Sequence, residues 1–254
     1  MSIATGAGRD WLFDVGNTRL KWTRADALDA GEVRAHAHAI VGESGRLDGE
    51  FADVRAGDRA WIASVASPET TAAIEAALSR RGARCAHATT RRDCAGVRIA
   101  YAQPARFGVD RFLALLGAHA RMPGAALIAS IGTALTIDLL GADGRHHGGL
   151  IAPSPTLMRE ALARRAPRLP LDGGRVVDFA DDTNDALASG TILSARALIA
   201  RSLHAARQRL GARPTLLVAG GGADAVCDAW RMRFVRTPHL VLHGLQVYAQ
   251  AAHE

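Results

Sequence analysis

Residues 11–24 read WLFDVGNTRLKWTR, and this stretch decides the fold. Two short apolar-rich runs are joined by Gly16-Asn17-Thr18, a composition typical of a tight β-hairpin. Asp14 closes the first predicted strand, where a carboxylate can face a metal ion, and the cations Arg19 and Lys21 begin the return strand. Turn amides can form an anion-binding concavity, so the stretch is a candidate phosphate cradle. The pattern also fits an ordinary hairpin with a charged, exposed strand.

Residues 126–140 (ALIASIGTALTIDLL) repeat this design. An apolar strand over 126–131 meets Gly132-Thr133, and a second strand follows over 134–140. Each of the two strand–turn–strand units precedes further α/β segments, and more than a hundred residues separate them. We therefore expect a duplicated α/β fold whose two phosphate-binding turns face one cleft, with two unrelated hairpins as the alternative.

The remaining elements follow from capping residues and apolar periodicity. Ser67 and Pro68 predict the start of a helix over 69–81, and Ser154 predicts the cap of a helix that runs to about Arg165. Further strands are predicted over 33–41, 61–65, 84–87, 97–100, 148–153, 215–219 and 233–236, and further helices over 184–210 and 239–252, with one more beginning near Ala223. Residues 1–10 are expected to be a loose leader. His36 and His38 share one face of the strand over 33–41, and a solvated face explains them better than a metal site.

Composition limits the classes of function. The chain has 254 residues, 48% of them hydrophobic, and a formal net charge of +6. The positive charges are scattered and aromatic residues are few, so nucleic-acid binding is not favoured, and part of the charge fits an anionic small molecule. Three cysteines without metal-type spacing indicate reduced thiols in a cytoplasmic protein. No apolar run is long enough for a membrane helix.

A second motif lies at residues 101–111, YAQPARFGVDR. Pro104 and Gly108 mark a loop, and apolar residues at helical spacing follow it. Asp110 and Arg111 fall in the first turn of the predicted helix, where the dipole favours a carboxylate and free amides point at any bound anion. Helix statistics alone favour a plainer reading, with Asp110 as a good first-turn residue and Arg111 as a surface cation.

Together with DTNDALASG at 182–190 and GGG at 220–222, these motifs resemble the type III pantothenate kinases from Trp11 onward. The resemblance implies duplicated actin-like (ribonuclease H-like) α/β domains with a cleft between them, over 1–122 and 123–254. It implies that ATP and pantothenate give ADP and 4′-phosphopantothenate, the first step of coenzyme A biosynthesis. It also implies a homodimer, in which the residue matching Thr183 lies close to the substrate pocket at the subunit interface.

The resemblance also implies roles for particular residues. Asp110 would be the base that accepts the hydroxyl proton, and Mg²⁺ would arrive with ATP and be held by Asp14, with Asp138 as the second choice. The other implied contacts fall into two sets. ATP would contact Asp14, Val15, Gly16, Asn17, Thr18, Arg19, Leu20, Lys21 and Thr133, and pantothenate would contact Tyr101, Gly108, Val109, Asp110, Arg111 and Thr183.

Two positions depart from the family pattern. Ser130 stands where many members have an Asp that serves a monovalent cation, K⁺ or NH₄⁺, and a hydroxyl is a weaker ligand, so that requirement stays open here. Asp182 stands where Asn is common, which bears on the geometry at Thr183. The alternatives are another kinase or phosphatase of the same superfamily, or a non-catalytic regulatory relative.

Overall fold

The chain divides into two compact units in a computed structural model that describes residues 8–37 and 46–252. The first unit comprises the chain up to Ala120 together with the segment from His239, and the second comprises Arg121–Pro238. The strands of the first unit are β1 (Asp10–Val15), β2 (Arg19–Arg24), β3 (Arg34–Ala37), β4 (Arg59–Ser64), β5 (Arg84–His87), β6 (Asp93–Cys94) and β7 (Val97–Arg98). Its helices are α1 (Arg46–Glu50), α2 (Pro68–Arg80), α3 (Val109–Arg121) and α7 (Leu240–Ala251), with a 3₁₀ turn at Pro104–Arg106.

The second unit carries its own sheet and helices. Its strands are β8 (Ala126–Ile131), β9 (Ala134–Leu140), β10 (His146–Pro153), β11 (Thr215–Ala219) and β12 (Val235–Arg236), and its helices are α4 (Pro155–Arg165), α5 (Thr183–Leu210) and α6 (Ala223–Cys227). The predicted helix starts at Ser67 and Ser154 are confirmed, because each serine hydroxyl accepts a backbone N–H of the first turn.

The two large sheets have the same topology. The strand order is β3-β2-β1-β4-β5 in the first unit and β10-β9-β8-β11-β12 in the second. In each sheet the first three strands are antiparallel neighbours, while the last two join in parallel. Identical order and direction confirm the predicted duplication and exclude two unrelated hairpins.

Each sheet buries one apolar cluster against its helices. In the first unit Phe13, Trp22 and Phe51 pack edge to face, and in the second Ile199 of α5 lies among apolar residues of β8, β9 and β11. Alternation along β1 and β2 places the side chains of Phe13 and Trp22 on one face of the first sheet. No helix among the described residues is long and apolar enough to cross a membrane.

The last helix belongs to the first unit, which differs from the predicted second domain over 123–254. Helix α7 packs on β1 and β4. It also crosses α3 at two glycines. A Cβ on Gly244 would stand 1.8 Å from the Leu113 carbonyl oxygen, and one on Gly117 would stand 2.5 Å from that of Leu240. Such close backbone approach is possible only because both positions lack a side chain.

The expected loose leader is also corrected, since its end is ordered. Asp10 begins β1, and the Arg9 backbone N–H donates to Asp58 Oδ1 over 3.0 Å. The predicted strand over 33–41 is observed over Arg34–Ala37, and His38 lies outside the described residues. The His36 ring stacks on Trp22, so this histidine has a packing role.

Asp58 joins the start of β1 to the loop before β4, and its substitution should destabilise the fold. Asp58 is 4% exposed, and its carboxylate accepts Trp11 Nε1 at 2.9 Å, Arg9 Nη2 at 2.9 Å and the Arg55 N–H at 3.0 Å. Asp58→Asn replaces one acceptor oxygen with a donor and leaves a buried donor unpaired. We expect the free energy of unfolding at pH 7, measured by urea denaturation, to fall by about 1–3 kcal/mol.

This loss should depend on pH. Burial alone would raise the pKa of Asp58, but hydrogen bonds from Arg9, Arg55 and Trp11 outweigh burial and lower it. A lowered pKa contributes stability that is present above the unfolded pKa, roughly 4, and is lost as the pH falls through the folded pKa. The difference between the variant and the wild type should therefore shrink below about pH 4. Asp26→Asn, which breaks an exposed pair with Arg24, is the control, and equal effects of both variants would contradict the prediction.

Candidate active site

The β1–β2 hairpin presents a carboxylate opposite an ammonium group. Asp14 and Lys21 are direct partners in the antiparallel register, and the Gly16 N–H donates to the Arg19 carbonyl over 3.0 Å to close the turn. Asn17, Thr18 and Arg19 are exposed at the tip. The side chains of Val15 and Leu20 lie in the core instead, so these two residues are available to a ligand only through their backbone.

The pKa of Asp14 is higher than that of an ordinary aspartate. Burial raises its pKa to about 6, Lys21 opposes this rise, and the nearby carboxylate of Asp110 adds to it. The structure thus brings together two carboxylates and one ammonium group from positions 14, 21 and 110. A cation at Asp14 would offset the burial of its charge. Mg²⁺ suits such a site, because it keeps several waters and binds through one or two carboxylates plus phosphate oxygens. Among the described residues, no group of three or more His, Cys, Asp or Glu is placed to hold a metal.

Residues 101–111 approach the hairpin as a loop that leads into α3. The backbone of this loop is anchored where the Thr90 hydroxyl donates to the Phe107 carbonyl over 2.8 Å. Asp110 Oδ1 accepts the N–H of Arg111 at 2.8 Å. A Cβ on Gly108 would stand 2.6 Å from that same oxygen. Gly108 is therefore required to leave space for the carboxylate in this position.

Arg111 is buried, which differs from the expectation of a surface cation. Its side chain is 6% exposed, and its guanidinium carbon lies 4.7 Å from the ring centre of Phe107 and 5.9 Å from that of Tyr101. Its Nη1 also lies 3.4 Å from the Tyr101 hydroxyl. The two aromatic faces stabilise the cation by cation–π attraction. The result is a fixed positive charge beside Asp110.

His239 is a neighbour of the hairpin that the sequence did not indicate. Burial lowers its pKa, and the ammonium of Lys21 lowers it further. It precedes α7 with a left-handed backbone, φ 59°. The sequence separation of more than 200 residues explains the omission, because no local pattern connects His239 to the hairpin.

The second unit carries the other turn. Thr133 is exposed at its tip, and the Gly132 N–H donates to the Ala134 carbonyl over 2.9 Å. The triple glycine packs against the end of β8, since a Cβ on Gly220 (φ 90°) would stand 2.2 Å from the Ile131 carbonyl oxygen. Backbone packing therefore explains glycine at this position without a ligand. Ser130 is half-buried and lies opposite Thr136 in the register.

Asp138, the second choice for magnesium, is already engaged. Asp138 is 3% exposed, and its Oδ1 lies 3.0 Å from Nε2 of His146, which is also buried. An irregularity in β10 between His146 and Gly149 occurs where this histidine meets β9. The pair is part of the interior of the second unit, which favours Asp14 as the magnesium ligand.

Thr183 is the first residue of α5 and is exposed. It belongs to the second unit, whereas the other candidate pantothenate residues belong to the first. Asp182 caps the helix by accepting the N–H of Asp185 over 3.0 Å, which is the role Asn also performs well. Asp185 accepts two guanidinium N–H groups and the backbone N–H of Arg175, so the preceding loop is anchored beside Thr183.

Solved structures share this fold. A crystal structure described as a conserved putative Baf family transcriptional activator from Campylobacter jejuni matches with a TM-score of 0.60 at 15% identity, over 96% of this chain and 100% of that one. A putative 2-dehydro-3-deoxygalactonokinase from Sinorhizobium meliloti matches with a TM-score of 0.53 at 18% identity, over 95% and 98%. With the two equivalent sheets, they define the class as a duplicated actin-like α/β protein.

Sequence comparison gives the family. The model of the type III pantothenate kinase family matches residues 11–205. Proteins named type III pantothenate kinase are 50% identical in Xanthomonas oryzae pv. oryzae (strain PXO99A), over 96% of this chain and 98% of the relative, and in Stenotrophomonas maltophilia (strain K279a), over 94% and 97%. The chain belongs to the type III pantothenate kinase family.

Proposed function

We propose that this protein transfers the γ-phosphoryl group of ATP to the hydroxyl of pantothenate, giving ADP and 4′-phosphopantothenate in the first step of coenzyme A biosynthesis. The observation that carries the proposal is that Asp110 lies near Asp14, and that Asp14 belongs to a hairpin whose tip exposes Asn17, Thr18 and Arg19. Membership of the type III pantothenate kinase family supports the same assignment.

In this reaction the pantothenate hydroxyl oxygen bonds to the γ-phosphorus, the bond to the ADP oxygen breaks, and the hydroxyl proton passes to Asp110. Asp110 needs no raised pKa, because the alcohol becomes acidic only as the new bond forms. Phosphoryl transfer mainly requires positioning and charge neutralisation. Lys21, Arg19 and the amides of both turns would supply this, with Thr133 as the contact from the second unit. Mg²⁺ bound at Asp14 would neutralise phosphate charge.

The substrate contacts are proposed for the loop that ends at α3. Arg111 is a fixed cation that suits the pantothenate carboxylate, and Tyr101 and Phe107 hold it in place. The backbone of Gly108 and Val109 lies next to the base, and Thr183 would add a hydroxyl from α5. Ser130 offers only a neutral hydroxyl, so we propose that turnover here depends weakly on K⁺ or NH₄⁺.

The direct test is ADP release by the purified protein with Mg-ATP, with and without pantothenate, and in potassium or sodium salt. We expect turnover that requires pantothenate and changes less than about twofold between the salts. Turnover with other alcohols but not with pantothenate would indicate another kinase of the superfamily. Absence of any turnover, together with DNA binding that weakens steeply with salt, would indicate a regulatory relative instead.

We also propose a cytoplasmic homodimer that forms through the second unit. Apolar side chains are exposed on the loop before α5 and on β10, with Phe179 98% exposed and Ile151 66% exposed. An apolar groove lined by Leu157, Met158 and Leu187 runs between α4 and α5. Exposed apolar surface of this kind is typical of an interface. The free thiols of all three cysteines agree with a reducing compartment.

Phe179→Asp should therefore shift the protein from dimer to monomer in sedimentation velocity, since a charge would enter an apolar contact. We also expect the KM for pantothenate to rise, because Phe179 is four residues from Thr183. Val235→Asp on the opposite edge strand is the matched control, because Val235 is also an exposed apolar residue. A wild type that is monomeric at micromolar concentration would overturn the dimer proposal.

A further inference from the structure

The turn at Gly132-Thr133 is held by a buried serine from another element. Ser154 is 1% exposed, and its hydroxyl donates to the Thr133 carbonyl oxygen over 2.9 Å. The Ser154 hydroxyl oxygen also accepts the N–H of Leu157 at 3.2 Å and so caps α4. A serine hydroxyl has one proton to donate, and here that proton goes to the turn.

The carbonyl group of Ile131, at the end of β8 just before the turn, also accepts a hydrogen bond. The Gly222 N–H donates to the Ile131 carbonyl over 3.0 Å, from the junction between β11 and α6. The turn is therefore tied on one side to the start of α4 and on the other to the start of α6. Because a peptide unit is planar, fixing the Thr133 carbonyl also fixes the Thr133 Cα and limits where its side chain can lie.

We propose that Ser154 is a positioning residue for ATP, which holds the Thr133 turn in its phosphate-binding geometry through the hydroxyl-to-carbonyl hydrogen bond. This inference rests on the proposed kinase function. Ser154 does not touch the nucleotide itself. Its contribution is preorganisation, since a flexible turn would have to be ordered each time ATP binds, at a cost in affinity.

Ser154→Ala should raise the KM for Mg-ATP about 5- to 20-fold and leave the KM for pantothenate, at saturating ATP, within about twofold. The chain offers a matched control in Ser67→Ala. Ser67 also precedes a proline and caps its helix by accepting the Thr70 N–H at 3.2 Å, but it lies in the first unit. The control should lose its helix cap and keep its KM for ATP.

Two further variants distinguish the helix cap from the hydrogen bond that Ser154 donates to the Thr133 carbonyl. Ser154→Gly keeps most of the N-cap stability and removes the hydroxyl, so it should raise the KM for ATP as Ala does. Ser154→Thr keeps a hydroxyl and should recover part of the ATP affinity. An ATP KM within twofold of wild type for both Ala and Gly would overturn the proposal, as would an equal rise in Ser67→Ala.

Calorimetric titration with Mg-ADP, done without pantothenate, tests the same idea without turnover. Weaker binding by Ser154→Gly than by wild type and Ser67→Ala would support the positioning role, and equal binding would overturn it. A wild type that binds Mg-ADP but never phosphorylates pantothenate would refute the proposed function alone. The two failures are therefore distinguishable.

Discussion

Asp110→Asn should lower kcat for pantothenate phosphorylation by about 10²–10⁴-fold, the range that a positioned general base contributes. The change is nearly isosteric, and the amide oxygen can still accept the Arg111 N–H that now donates to Asp110 Oδ1. The local helix start should survive, while the group that receives the hydroxyl proton is lost. We expect the KM for ATP to change little, because proton transfer belongs to the transition state and not to nucleotide binding.

The measurement is steady-state ADP release at saturating substrates, with thermal unfolding of both proteins to show an intact fold. Asp93→Asn is the matched control, since it removes the same charge from an exposed pair with Arg98 in the same unit. A kcat for Asp110→Asn within tenfold of wild type would remove Asp110 from the role of base. Loss of activity in both variants would point to net charge instead of proton transfer.

The strands and helices were predictable because their signals are local. Ser67-Pro68 and Ser154-Pro155 define helix starts through one hydroxyl and one fixed φ, and both helices begin where the sequence indicates. The β1–β2 hairpin was also predictable from its turn residues, whereas the register that pairs Asp14 with Lys21 is known only from the structure.

The sequence did not predict which unit the last helix, α7, packs against. The apolar face of α7 is visible in the sequence, but periodicity does not say which sheet covers it. The helix joins the first unit through glycine contacts such as Gly244 with Leu113. Burial of Arg111 was missed for a similar reason. Helix statistics count a charged first-turn residue as exposed, whereas Phe107 and Tyr101 cover this one.

In the candidate site, too, the contacts between residues far apart in the sequence could not be predicted from local patterns. Asp14 and Asp110 are 96 residues apart in the sequence and lie close together in the structure. Before the structure, only the family resemblance indicated that both belong to one site. The Ser154 contact with Thr133 had no sequence signal beyond the cap. A cap residue that also donates its proton elsewhere cannot be told from an ordinary cap in one sequence.

Asp14→Asn should abolish activity and, at the same time, stabilise the protein without ligands. Burial raises the pKa of Asp14 to about 6 in the folded protein, from an ordinary value near 4. Between these values the folded state binds more protons than the unfolded state, so stability falls as the pH rises. Above about pH 6 the wild type carries the cost of an ionised, partly buried carboxylate, and the neutral amide removes that cost.

We therefore expect Asp14→Asn to have a free energy of unfolding about 1–3 kcal/mol above wild type at pH 8, with the difference vanishing near pH 4. Urea denaturation without nucleotide or Mg²⁺ at both pH values measures it. Asp10→Asn, on the same strand, is the control. Mg-ATP should then raise the melting temperature of the wild type and not of Asp14→Asn, because the ligand compensates a charge that the variant lacks. If the variant were less stable than wild type at pH 8, the attraction between Asp14 and Lys21 would contribute more to stability than burial of the charge costs. The carboxylate would then have a structural role, and the prediction would be contradicted.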